Sequence, residues 1–166
     1  MPQSSKKARA ENLWIQAEQQ EEKGKMRDAF RLMLAAAKLG SISAQINVGN
    51  YYDDGRGVGR NRSAALYWFK RAYRRGDSGG AHNIGVVWRN EGKPQRSLYW
   101  FTRAVKLGDD ESNLDIGKHF LDNEKDPQKA ILYFKRVRST GWVSEAGIEE
   151  AAQLIREAKK RLKTKS

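Results

Sequence analysis

The chain has 166 residues, 31% charged and 39% hydrophobic, with no cysteine and a formal net charge of +12. This length suits one domain; the missing cysteine excludes a disulfide framework and a thiolate metal site, and no run approaches the ~18 apolar residues that cross a bilayer. The basic excess attracts nucleic acid, anionic lipid or acidic proteins at long range.

Residues 1–9 are polar and basic with no apolar stretch. They are expected as a flexible arm rather than a secretory signal, in a soluble cytoplasmic protein. The first predicted helix covers 10–20, and Gly24 breaks the chain before the second. From there one pattern recurs. Ala29, Leu32, Met33 and Ala36 close on Gly40, and Ala65, Trp68, Phe69 and Ala72 close on Gly76. Ser97, Trp100, Phe101 and Ala104 close on Gly108, and Ala130, Tyr133, Phe134 and Val137 close on Gly141. The closing glycines lie 36, 32 and 33 residues apart, a period that marks stacked helical hairpins. Positions i, i+3, i+4 and i+7 share one helical face. Small residues at its ends let neighbouring helices approach, the aromatic pair fills the gap between them, and the glycine ends the helix in a left-handed turn.

These are the second helices (B) of each hairpin. The first helices (A) carry Val48-Gly49 with Tyr52, Ile84-Gly85 with Trp88, and Ile116-Gly117 with Phe120. Glycine inside a helix costs about 1 kcal/mol relative to alanine. Its return at one phase predicts that helix B crosses there and leaves no room for a Cβ. In the first unit Ala17 takes the glycine's place. The spacing from this position to the first small residue of helix B is 12 or 13 residues in three units and 16 in the second. The second unit therefore has a longer loop, Asp54 to Arg62. Beyond the fourth hairpin, Trp142 is expected to plug the gap before a capping helix at 144–162. Ser144 suits its N-cap, with Val143 as a staple on Ile148. Ile148, Ala151, Ala152, Ile155, Ala158 and Leu162 form its apolar stripe. Residues 163–166 are a flexible tail. The expected fold is all-α: an α/α superhelical solenoid of about four helical hairpins plus the C-terminal capping helix, spanning 10–162.

The stretch Ala44 to Val58, with Val48-Gly49, Tyr52 and Gly55-Arg56-Gly57-Val58, followed by Ser63 to Ala72, resembles a Sel1-like repeat. The flanking units, without the Gly-x-Gly-Val loop, resemble the related tetratricopeptide repeats. The resemblance implies a protein-interaction adaptor, binding a peptide segment or partner domain in a concave groove lined by the A helices. A non-enzymatic monomer or weak oligomer is expected. The resemblance places the groove residues three before the A glycine, one and four after it, and at an asparagine two before it. Those positions are Trp14, Glu18 and Glu21; Ile46, Asn47, Asn50 and Asp53; His82, Asn83, Val86 and Arg89; and Leu114, Asp115, Lys118 and Leu121. Acids of the first unit (Glu11, Glu18, Glu21, Glu22) and bases of the third (His82, Arg89) set a charge gradient along that groove.

The alternative partner is nucleic acid, held by phosphate contacts to a basic stripe on the B helices: Lys70, Arg71, Arg74, Arg75, Arg103 and Arg136. The loop Gly55 to Arg60 lacks Gly-Lys-Ser/Thr and a preceding strand, so it is a permissive turn rather than a P-loop. His82 and His119 lie in different units without metal-ligand spacing, and no serine sits in a Gly-x-Ser-x-Gly elbow. The acids at Asp109-Asp110-Glu111 suit capping. No catalytic residue, metal site or cofactor is expected.

Overall fold

The computed structural model describes residues 3–137 and 143–164. Among these are nine α-helices and no strand. They are α1 (Gln3–Glu22), α2 (Met26–Lys38), α3 (Ile42–Asp54), α4 (Arg62–Tyr73), α5 (Ser78–Asn90), α6 (Pro94–Lys106), α7 (Ser112–Asp122), α8 (Pro127–Phe134) and α9 (Glu145–Lys163). The odd-numbered helices α1 to α7 are the A helices and the even-numbered are the B helices. Two compact units result, Met1–Gly80 and Ala81–Ser166. Each has its own core, one around Phe30, Met33, Val48 and Tyr51, the other around Phe101, Ile116, Leu121 and Phe134.

The predicted packing at the A glycines is observed. A Cβ on Gly49 would lie 2.3 Å from the Phe69 ring, on Gly85 2.8 Å from Phe101, and on Gly117 2.3 Å from Phe134. The second aromatic of each B helix is therefore the interlocking one, and the three phenylalanines are 1–2% exposed. The first aromatic is less constrained. Trp68 is buried, Trp100 is half-buried, and Tyr133 stacks on Phe120 with centroids 5.3 Å apart. In the first hairpin the B residue at that phase is Met33, whose unbranched chain adapts to a neighbour. Ala17 is accepted there, fully buried in the same cluster. Ser97, standing where the other B helices have alanine, donates its buried hydroxyl to the Gly85 carbonyl at 2.9 Å.

Side-chain caps start several helices. Ser41, Asn61, Asp126 and Ser144 each accept from a backbone N–H three residues on, which satisfies one of the orphan donors of the first turn. Gly40, Gly76 and Gly108 end the B helices with φ of 100°, 86° and 93°. Gly141 and Trp142 lie outside the described residues.

Two expectations are corrected. Residues 3–9, expected as an arm, form the first turns of α1. Lys, Arg and Ala there favour helix, and buried Ala10 and Ala17 anchor α1 to the first core, so the helix extends upstream from a fixed segment. On α9 Ala152 is exposed, and the face turned inward is Ala151, Leu154, Ile155, Ala158 and Leu162. That set keeps the i, i+3, i+4, i+7 spacing, and Ala152 falls off it.

The long loop after α3 folds back on the first hairpin. Gly55 closes the helix, its N–H donating to the Tyr51 carbonyl at 2.9 Å. Arg56 then lies 5.1 Å over the Tyr51 ring and 3.3 Å from Asp54. Gly57 has φ +66°, and a Cβ on it would come within 2.2 Å of the Met26 carbonyl oxygen. Val58 packs on the first core, and the Arg60 Nε donates to the Asp53 carbonyl at 2.7 Å. Gly57→Ala meets both left-handed backbone strain and a backbone clash. It is expected to lower unfolding stability by about 2–4 kcal/mol in urea titrations. An unchanged midpoint would show that the loop does not rest on α2.

Candidate interaction surface

In the first unit the predicted groove residues do not form one open wall. Trp14 is half-buried and packed on the core. Glu21 accepts the Tyr51 phenol, with the Arg56 guanidinium 3.9 Å away. Burial and Glu21, with a further push from Glu18, raise the Tyr51 pKa far above its ordinary value, and Arg56 opposes this. Glu21 is thus a cross-brace between α1, α3 and the loop. Asn47 directs its amide at the Met33 sulfur, 3.9 Å away. Ile46, Asn50 and Asp53 are half-buried, and Glu18 is exposed.

The second unit brings more of the predicted residues together. Arg89 of α5 pairs with Asp115 of α7, and its guanidinium sits 5.9 Å from the Phe101 centroid. Lys118 pairs with Glu150 of α9 at 2.8 Å. Arg89, Phe101, Asp115 and Lys118 line a cleft of about 290 Å³ that Pro94 and His119 also border. Of the bases expected to make this region positive, His82 faces Asp109 and Arg89 pairs with Asp115, so the positive charge within this unit is locally balanced. Asn83 and Val86 are half-buried. Leu114 and Leu121 are buried, 6% and 1% exposed, in the core cluster that also holds residues of α8 and α9. The Arg161 guanidinium of α9 reaches the Leu121 carbonyl at 3.2 Å, and Ala151 and Ala158 join the same cluster. Leu114 is a core residue rather than a groove contact.

One cluster had no signal in the sequence. The His82 Nδ1 lies 2.9 Å from the Ser112 hydroxyl and 3.2 Å from Asp109 Oδ2, while Ser112 donates to the same carboxylate oxygen at 2.5 Å. A nucleophilic relay needs the acid on one ring nitrogen and the hydroxyl on the other. Here both meet Nδ1, so the group ties α5 to the start of α7. The capping role expected of Asp109 is met by the Ser112 N–H at 3.4 Å. Among the described residues no group of three or more His, Asp or Glu is arranged to hold a metal ion.

The basic stripe resolves into individual contacts. Arg71 donates to the Tyr67 hydroxyl at 3.0 Å and lies 5.5 Å over Trp68. Arg103 lies 4.3 Å over Tyr99, and Arg136 4.9 Å over Tyr133. Arg75 donates to the Gly40 carbonyl, while Lys70 and Arg74 are exposed. Three of the six bases therefore rest on aromatic rings one helical turn earlier.

Burial pulls the His82 pKa down, but the Asp109 hydrogen bond and the charges of Asp109 and Asp115 outweigh it and raise the pKa above 6.5. The resulting stability is full below the unfolded value and is lost as pH rises through the folded one. Asp109 has the opposite sign. Burial raises its pKa, but the His82 and Ser112 hydrogen bonds outweigh that and hold it below the ordinary value, so its contribution disappears on acidification. The melting-temperature gap between the native chain and His82→Gln is expected to be larger near pH 6 than near pH 8. An equal gap at both would remove the charged pair from the account.

Sel1 repeats match the chain at residues 22–41, 42–77, 85–109 and 122–136. The matches include the units without the long loop, whose resemblance pointed to tetratricopeptide repeats. Among solved structures, a Sel1 repeat protein from Oxalobacter formigenes is 22% identical with a TM-score of 0.70 over 90% of this chain and 63% of that one. The protein c5321, a protective antigen present in uropathogenic Escherichia coli strains and displaying an SLR fold, is 19% identical with a TM-score of 0.65, over 76% of this chain and 30% of that one. A MamA protein is 16% identical with a TM-score of 0.62, over 93% and 88%. No curated protein matches the sequence. The chain spans less than two thirds of the first two structures. At these identities the likeness establishes the fold alone, that of a helical-repeat solenoid. With four repeat matches over more than half its length, the chain belongs to the Sel1 repeat family.

Proposed function

We propose that this chain is a non-enzymatic scaffold that binds a peptide segment of a partner protein along exposed parts of its A helices. Sel1 repeats are a protein-interaction scaffold. The observation that carries the finer reading is the α5–α7 cleft, where Arg89, Asp115 and Lys118 stand beside Pro94, with the buried Phe101 ring beneath Arg89. A small cleft edged by Pro94 and ringed by both charge signs suits a short segment with polar flanks. Lys118 and Glu150 are both partly solvent-exposed, so a ligand carboxylate can replace Glu150 on Lys118 at modest cost. A cytoplasmic setting belongs to the same proposal.

Nucleic acid on the B helices is the second reading, and the exposed tyrosines beneath Arg71 and Arg103 favour it. Tyr67 and Tyr99 are 53% and 51% exposed, and bases stack on aromatic rings beside cations. The two readings separate cleanly. Arg89→Gln with Lys118→Gln is expected to weaken capture of the protein partner by at least about tenfold in pull-downs at moderate salt. Arg71→Gln with Arg103→Gln is expected to leave it unchanged, with thermal melts confirming both folds. Capture that survives the first pair, is lost with the second and is abolished by nuclease would replace the scaffold reading with the nucleic-acid one.

A further inference from the structure

A second cleft, of about 780 Å³, lies in the first unit between the start of α1 and the α2–α3 turn. Of the residues placed along the groove it holds only Glu11. Its polar wall carries Lys6, Lys7 and Arg75, opposed by the single carboxylate of Glu11 among the described lining residues, while Leu39 and Ile42 supply apolar surface. The Arg75 guanidinium donates to the Gly40 carbonyl. One of its five donors is used, and the side chain is held in place before any ligand arrives. Lys6 and Lys7 stand on α1 because those residues are helical. As a loose arm they would present no fixed charge here.

We infer that this cleft binds an acidic peptide segment bearing one apolar side chain, with carboxylates on Lys6, Lys7 and Arg75 and the apolar group on Leu39 and Ile42. Three cations against one anion select a negative ligand. The volume is in the range of ligand-sized sites rather than a surface dimple. The apolar part and Glu11 argue against a phosphate backbone, which gains nothing from Leu39 and Ile42 and is repelled by the carboxylate. A second copy of the chain is disfavoured by the net charge of +12, which makes two copies repel. This inference does not depend on the α5–α7 cleft.

The test uses the full chain and a fluorescein-labelled synthetic peptide with glutamates on both sides of one leucine, followed by fluorescence anisotropy. Saturable binding is expected. Lys6→Glu with Lys7→Glu should weaken it by at least about tenfold. Lys159→Glu with Lys160→Glu on α9, which changes net charge equally, should change it by less than about twofold. Glutamate near a helix N-terminus favours the helix, so the first pair folds; Arg75→Gln, expected to weaken binding as well, provides an independent reading. Arg89→Gln with Lys118→Gln should have no effect, which separates this site from the proposed groove. Any of several results would overturn the inference: no binding, equal loss from both lysine pairs, equal binding of the peptide with leucine replaced by serine, or tighter binding of a single-stranded RNA oligonucleotide with the same lysine dependence.

Discussion

A phenylalanine ring seated where a Cβ would stand is the contact on which this structure depends. Gly49, Gly85 and Gly117 each leave the space that Phe69, Phe101 and Phe134 fill. Within a helix the glycine is locally unfavourable. The fully buried ring offsets that, since burying a phenylalanine contributes about 1.5–3 kcal/mol. Because the ring and the gap must meet, the contact sets the approach of A and B in each hairpin. The caps and closing glycines then only have to end the helices at the right length. Hairpin one solves the same problem with Ala17 and Met33, a larger receiver and a more pliable insert.

The interlock determines what is left for recognition. Each A helix commits one side to its own B helix, and the positions after the glycine keep some exposure in α3 and α5. The last A helix differs because α9 lies against it. Its Glu150 pairs with Lys118, its Arg161 holds the end of α7, and Leu114 and Leu121 become core. The apolar groove positions of α7 are thus buried in the second core, and the charged rim of the α5–α7 cleft remains. In the first unit Glu21 is engaged by Tyr51 of α3 and approached by Arg56 of the long loop, while Glu18 stays exposed.

Much of the fold was legible because its signals are local and periodic. The closing glycines and the Ser144 cap lie within a few residues of what they specify, and the A glycines and aromatic pairs return at one phase in successive units. The site was less legible, for a physical reason. Glu21 with Tyr51, His82 with Ser112, and Lys118 with Glu150 are each about thirty residues apart. Their meeting depends on helix crossing and side-chain rotamers, which no spacing rule encodes. The stripe of arginines was visible, but its stacking on Tyr99 and Tyr133 needed side-chain geometry. The extension of α1 is not legible because residues 3–9 carry helix propensity but no apolar stripe. The exposure of Ala152 follows from a choice between adjacent alanines that only the helix rotation settles.

The most direct test is a double-mutant cycle on Gly49→Ala and Phe69→Met, read by urea unfolding. Alanine alone should lower stability by about 1–3 kcal/mol through overpacking, although its helix propensity is better by about 1 kcal/mol. Joining it to methionine rebuilds the Ala17–Met33 arrangement, and the pair is expected to be more stable than the summed single effects by at least about 1 kcal/mol. Additive effects, or a Gly49→Ala chain as stable as the native one, would contradict the claim that the ring occupies the place of the missing Cβ.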